Sequence, residues 1–385
     1  MFGLLLASID SVVNVLTDVA RKKVLDRQFD ASLVTVWCKA ISCVVFAAAL
    51  AALQLGWGVR PQLPDIGRSL SVSPGWSFLL YVMLNAVLEG SAILLYLRAL
   101  QVSPLSYCVP FLALTPLFLL PTGIVFLHEE ISGGMVLGVF LVVVGALVMN
   151  RQMFARGPLE PARAILRERG SRYMLLVAVL LTFTNLLDKW FLLSGGGTVS
   201  FAVKLSRSVT LSLGKCAMLS VFFVGLAMVR LGDWKAYRAG RGGLRQLAAR
   251  ISWAGVVRGA PVWLALAGVL DSLVLILQLT AMQFIAAALA ISMKRAGIIL
   301  AVPLGWLLFK ERGITDRVIA SLVMTAGVLI FFLTTPDAAG RAVLETPGAG
   351  AVALAALAGM SVALYLTRHR NALGPPEAAA AGAAK

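Results

Sequence analysis

Charge is scarce in this chain: 14% of its 385 residues are Asp, Glu, Lys or Arg, against about a quarter in a soluble globular protein. Long hydrophilic runs are missing as well. The longest, 151–172 and 230–258, are too short for an ATP-hydrolysing module, a sensor domain or a DNA-binding domain. Histidine is nearly absent, with only His128 and His369, both at the ends of apolar segments, which argues against a metal site built on imidazole. The four cysteines, Cys38, Cys43, Cys108 and Cys216, form no CxxC and lie in apolar segments, so they read as packing residues. No basic stretch precedes the first apolar run, and no cleaved signal peptide is expected. Gly195-Gly196-Gly197 is not followed by the rest of a phosphate loop and reads as a tight turn. These absences leave no cofactor, no metal and no soluble enzyme to expect.

What is present is apolar length. Hydrophobic residues make up 59% of the chain and its mean hydropathy is +0.89. A bilayer crossing takes about 20 apolar residues, and in hydrocarbon only a helix or a closed barrel satisfies its own backbone. Hydropathy predicts helical spans near 2–20, 31–55, 76–98, 103–127, 132–150, 173–193, 199–229, 259–282, 284–309 and 314–334. An Ala- and Gly-rich eleventh segment, 349–366, is either a further span or a helix lying on the membrane surface. The last residues, 371–385, read as a disordered tail. The expected fold is therefore an all-α polytopic membrane protein. The formal charge of +16 sits in short loops and serves as a topology signal rather than a nucleic-acid footprint.

The chain repeats itself. A shift of 182 aligns 89–129 with 271–311 without a gap, setting Glu89 against Asp271, Pro121 against Pro303, Gly123 against Gly305 and Glu129 against Glu311. The first spans also rhyme, Asn14 and Asp18 in one and Asn185 and Asp188 in the other. This predicts two five-helix repeats, 1–150 and 173–335, around a basic linker, 151–172, with an extra helix within 336–370. An odd number of spans per repeat inverts the two copies in the membrane, an arrangement typical of secondary transporters.

The run AAALAISMKRAGIILAVPLGWLLFKE at 286–311, followed by 314–333 with its Ala326-Gly327-Val328 core, resembles the closing helices of the drug/metabolite transporter superfamily, EamA type. Segments 103–129 and 135–150 carry a weaker copy. The resemblance covers about residues 1–335 and implies a ten-helix transporter with a central cavity; it fixes no substrate. Lys294-Arg295 is also similar to the adjacent Lys-Arg pair with which plastid sugar-phosphate translocators hold phosphate. The matching positions of the first repeat are Leu112 and Ala113, so no symmetric site is implied.

Loops after the odd-numbered spans and the C-terminal tail hold most of the lysines and arginines, and the other loops hold almost none. The positive-inside rule then places the N-terminus outside and the C-terminus in the cytoplasm, whereas the family resemblance implies an N-terminus inside. Arg-rich, Ala-rich usage suggests a bacterial inner membrane.

Ionisable residues inside a bilayer are expensive and usually face a cavity or a partner. Within the expected spans stand Asp10, Asp18, Glu89, Asp188 and Asp271 among the acids, with Lys39, Arg98, Lys189, Lys204, Arg207, Lys215, Lys294 and Arg295 among the bases. Asp10, Asn14 and Asp18 share a stripe of the first helix, and Lys204, Arg207 and Lys215 share an arc of the seventh. Asn85 and Glu89 share a stripe, as do Asp271 and Gln278. Arg98 and Asp18 read as end-lying residues that snorkel, and Asp188–Lys189 as a local pair.

The bases outnumber the acids, and that surplus points to an anionic ligand. Lys294, Arg295, Lys215, Arg207 and Lys39 are the expected substrate-binding residues. Asp271, Glu89, Asp10 and Asn14 are the expected coupling or gating residues. The leading expectation is secondary transport of a small phosphate- or carboxylate-bearing metabolite by alternating access, with the lipid bilayer and no nucleic acid as partner. The alternatives are a flippase for a phosphorylated lipid carrier or its sugar conjugate, an exporter of amino acids or cationic small molecules, and an intramembrane transferase.

Overall fold

The computed structural model describes residues 2–59, 74–103, 112–127, 133–148, 167–193, 199–231, 253–285, 287–297, 304 and 314–334. The expected eleventh span, the tail and residues 151–166 of the expected linker lie outside the described residues, and 169–172 of that linker are the first turn of a helix. Regular structure among them is helical: α1 (Phe2–Leu25), α2 (Ala31–Trp57), α3 (Pro74–Val102), a 3-10 turn (Leu112–Leu114) leading into α4 (Thr115–Leu127), α5 (Gly133–Val148), α6 (Arg169–Leu193), α7 (Phe201–Leu231), the short α8 (Trp253–Gly259), α9 (Pro261–Met282), α10 (Ala287–Ala296) and α11 (Ile314–Thr334). Each of the ten expected spans overlaps one of these helices. Five of them, α2, α3, α6, α7 and α9, are long and apolar enough to cross a membrane on length and composition alone.

Local chemistry sets the ends. Asp30 caps α2, its carboxylate accepting from the Ser32 amide at 2.8 Å. Gly58 closes the same helix in the left-handed region at φ 63°, and its amide donates to the Gln54 carbonyl. Pro261 opens α9, where a missing N–H costs nothing. Hydroxyls along the helices turn back onto carbonyls one turn earlier, as Thr17 does to Val13, Thr182 to Ala178 and Ser292 to Ala288. Such bonds hide a polar group that hydrocarbon would leave unsatisfied.

Polarity is turned inside out. Val44, Leu80, Val221 and Val262 face outward, while Asp10, Lys39, Glu89, Asp188, Lys215 and Asp271 are buried. Water would reverse that arrangement; lipid requires it. The chain is a polytopic helical membrane protein. Its principal helix pairs are α1 with α9, α3 with α6, α2 with α7, and α5 with α11, followed by α2 with α9, α3 with α7, α1 with α10 and α4 with α6. Small residues permit the close approaches. A Cβ added to Gly268 on α9 would stand 2.8 Å from Ile41 Cβ on α2, and one added to Gly90 on α3 would stand 2.7 Å from the Phe222 ring on α7.

Candidate functional site

The buried charges converge on a cavity of about 130 Å³ in the middle of the bundle. Helices α1, α2, α3, α6, α7, α9 and α10 all contribute to its wall. Its charged lining comprises Arg21, Lys39, Lys215 and Lys294 with Asp18, Glu89, Asp188 and Asp271, so bases and acids balance. Asn14, Asn185, Gln278 and Tyr96 add neutral polar groups, and Leu112, Val177, Val274 and Ile291 are among the apolar ones.

Two ion clusters organise the charge. In the first, Lys39 on α2 donates to Asp271 on α9 at 2.7 Å, and Arg21 on α1 binds the other carboxylate oxygen. Ser42 supports the same junction by donating to the Gly268 carbonyl at 3.1 Å. In the second, Lys215 on α7 lies 2.6 Å from Asp188 on α6 and 2.8 Å from Glu89 on α3. Asp188 also accepts from the Tyr81 hydroxyl at 2.5 Å and from Asn85 at 3.0 Å. The first cluster joins two cations to one anion and the second joins one cation to two anions.

Lys294 on α10 makes a third, more polar junction. Its ammonium donates to Gln278 Oε1 at 2.5 Å and stands 3.9 Å from Asp10. Gln278 in turn donates to Asn185 at 2.7 Å, tying α10, α9 and α6 together. Leu112, the repeat-related position, lines the same cavity as a hydrocarbon, so the wall is asymmetric at this point.

Of the residues singled out from sequence, Lys39, Lys215, Lys294, Asp271, Glu89 and Asn14 meet at the cavity. Asp10 lies beside Lys294, outside the lining. Arg207 is buried on α7 but is not part of the lining. Arg295 follows Lys294 in α10, and its side chain lies outside the described residues. The shared arc of Lys204, Arg207 and Lys215 does not make one site, because eleven residues of helix separate its ends by about 16 Å. Lys204 instead donates to the Gln283 carbonyl at 3.4 Å and sits 3.9 Å over the Phe284 ring. Lys189 donates to the Ile285 carbonyl at 3.2 Å. Part of the expected cation surplus is thus occupied with the carbonyls of the α9–α10 turn.

Two residues escaped the sequence reading. Arg21 belongs to a basic run that reads as a loop, yet α1 continues to Leu25. It stands at i+7 from Asn14 and i+3 from Asp18, and extending that stripe by one turn would have found it. Tyr81, one turn before Asn85 on α3, is the other.

Aromatic rings cluster at the end of the bundle where α1 and α7 begin. Phe2 meets Phe201 with centroids 5.2 Å apart and Phe284 at 5.6 Å, and Trp57 reaches Phe201 at 6.4 Å. At the opposite end Arg21 keeps 19% of its side chain exposed, whereas Lys39 keeps 2%. Arg27 there donates to the Gly259 carbonyl, and Arg230 stands 3.7 Å from Asp30.

Three comparisons bear on this geometry. Residues 1–151 match the model of the EamA-like transporter family. A crystal structure 15% identical in sequence aligns over 87% of this chain and 96% of its own with a TM-score of 0.53, a likeness of fold. No curated protein matches the chain.

Proposed function

We propose, from the match of residues 1–151 to the EamA-like transporter family, that the protein is a secondary transporter moving a small anion-bearing metabolite by alternating access. The observation that carries the proposal is the cavity, a polar chamber inside an apolar exterior, walled by helices from both ends of the chain. The moving parts are two five-helix repeats, 1–150 and 173–335. Helix pairing supports that division. Exchanging α1–α5 with α6, α7, α9, α10 and α11 turns the α1–α9 pair into α6–α3, the α2–α9 pair into α7–α3, and α1–α10 into α6–α4, each of which is present. Substrate at the interface of two such repeats is the general arrangement of secondary transporters.

Lys294 is the anion ligand of this reading. Lys39, Lys215 and Arg21 each hold a carboxylate, and breaking a buried ion pair costs about 3–5 kcal/mol. Lys294 donates at 2.5 Å to the neutral Gln278 amide and meets its carboxylate, Asp10, at the longer distance of 3.9 Å; exchanging a hydrogen bond of the first kind is a matter of about 1 kcal/mol. A phosphate or carboxylate that takes the Lys294 ammonium frees only the Gln278 Oε1 acceptor, while the Gln278 amide keeps its bond to Asn185. The aromatic cluster of Phe2, Trp57, Phe201 and Phe284 seals one end, and the charge bias of the loops assigns that end to the outside. The described state is then open toward the cytoplasm, past Arg21.

A second reading rests on the four carboxylates in the wall. Equal numbers of acids and bases suit a zwitterion such as an amino acid, with its amine near Asp18 or Glu89 and its carboxylate at Lys294. Thermal-shift measurement of the detergent-purified protein separates the two. Stabilisation by phosphorylated or dicarboxylic compounds, lost in Lys294→Ala and in the Lys294→Ala/Arg295→Ala pair, supports the anion. Stabilisation confined to amino acids supports the zwitterion, and stabilisation by simple amines that survives both variants overturns the role of Lys294.

A further inference from the structure

We propose that Arg207, with Thr210 beside it, is a second anion-binding site of this protein, separate from the Lys294 junction and suited to a carboxylate or phosphate group. The other cations inside the spans whose side chains are described have their charge engaged. Lys39 and Lys215 hold carboxylates, Lys294 holds Gln278, and Lys189 and Lys204 hold backbone carbonyls. Arg98 is exposed. Arg207 is only 8% exposed, yet among the described residues no carboxylate stands within ion-pair distance of it. Its Nε–H is buried and has no hydrogen-bond partner among them.

Arg207 lies six residues, about 9 Å of helix, inward from Phe201 of the aromatic cluster, and eight residues, about 12 Å, before Lys215. It stands between the sealed end and the cavity. The next residue, Ser208, is committed to α9, where its hydroxyl meets Thr280 at 3.1 Å and Gln283 at 2.8 Å. Arg207 itself shares a face with Leu211 and Gly214, at i+4 and i+7. That face is turned to α3 and α6: Leu211 packs in the cluster of Phe78 and Phe191, and a Cβ on Gly214 would stand 2.7 Å from the Phe78 ring. The next turns of the face are thus hydrocarbon, which supplies no acceptor.

Thr210, at i+3, repeats the pattern. Thr17, Thr182, Ser208 and Ser220 each donate to a carbonyl one turn earlier, but the buried Thr210 Oγ1 has no hydrogen-bond partner among the described residues. Two neighbouring donors, both buried and both unused, need an acceptor, and an anion is the acceptor that also neutralises the guanidinium. With Nε open, Nε–H and an Nη–H form a fork that matches two oxygens of one carboxylate or phosphate. A buried charge without a counter-charge costs stability, so packing alone gives no reason for an arginine here. On the transporter reading, Arg207 holds the anion in the half of the path that the aromatic cluster now closes, and Lys294 holds it at the centre.

Modification by phenylglyoxal, read arginine by arginine by mass spectrometry on the purified full chain, tests the site and requires no transport. Arg207 is expected to react slowly, and several-fold more slowly in inorganic phosphate or succinate than in chloride of equal ionic strength. That protection should persist in Lys294→Ala and in Lys294→Gln, so a failure of the Lys294 reading leaves this result standing. Phosphatidylglycerol added to the micelle forms a second arm. Protection by the lipid and not by the free ions assigns the oxyanion to a headgroup, and protection by the free ions assigns it to a solute. Thermal unfolding without added phosphate or succinate supplies the other measurement. Arg207→Met should unfold no lower than the wild type, because it removes a charge that no described residue holds. An Arg207 that never reacts, that reacts equally under every condition, or whose protection is lost in both Lys294 variants overturns the proposal. So does a fall in Tm in Arg207→Met as large as that in Asp271→Ala.

Discussion

Lys39 on α2 donates to Asp271 on α9 at 2.7 Å with almost no exposure of either side chain. The contact has a counterpart in Lys215 of α7 and Glu89 of α3, at 2.8 Å. Two bridges of one design cross the centre of the molecule, and they differ in what else each acid holds.

Removing Asp271 strips Lys39 and Arg21 of their shared counter-ion, whereas removing Lys39 leaves Asp271 paired with Arg21. Asp271→Ala should cost about 3–5 kcal/mol, the usual consequence of orphaning a buried charge. Lys39→Met should cost about 1.5–3 kcal/mol, that of one charged hydrogen bond. Thermal unfolding in detergent checks the order. Equal losses would mean that Arg21 does not hold Asp271.

Close packing between α2 and α9 depends on Gly268. Gly268→Val drives a side chain into Ile41 Cβ, 2.8 Å from where the new Cβ would sit, and should destabilise by about 1–3 kcal/mol. Ile41→Ala in the same chain should restore much of the loss. A double variant no more stable than Gly268→Val alone would place the strain elsewhere.

Access to the cavity is expected from one side. In a chain with its native cysteines replaced, Asn14→Cys should react with a membrane-impermeant thiol reagent in inside-out vesicles and resist it in right-side-out ones. Adding Phe2→Ala and Phe284→Ala to open the aromatic cluster should raise outside labelling several-fold. Labelling from the outside before those changes would reverse the orientation.

The helical architecture was largely legible in the sequence, because hydrocarbon imposes a length and a composition on every crossing. The site was legible in part, and the failures have physical causes. A basic cluster at 21–23 reads as a membrane flank, yet the helix runs on to Leu25 and the Arg21 side chain reaches Asp271. Helical phase puts Lys204, Arg207 and Lys215 on one arc of α7 but says nothing about depth. Lys204 and Lys215 therefore serve the turn and the cavity respectively. The expected pairing of Asp188 with its neighbour Lys189 gave no hint of Lys215, 27 residues away on the next helix. Periodicity orders residues around a helix, but which other helix they face is decided by tertiary packing.

Counterflow in proteoliposomes reads the substrate path through the cavity itself. Vesicles loaded with an unlabelled phosphorylated or carboxylated compound chosen by thermal shift should transiently accumulate the labelled form through the wild-type protein. Lys294→Ala vesicles, with protein inserted to the same extent, should not accumulate it. Counterflow that is equal in the two, or no greater than in protein-free vesicles for every anion that stabilises the protein, would contradict a substrate path through this cavity.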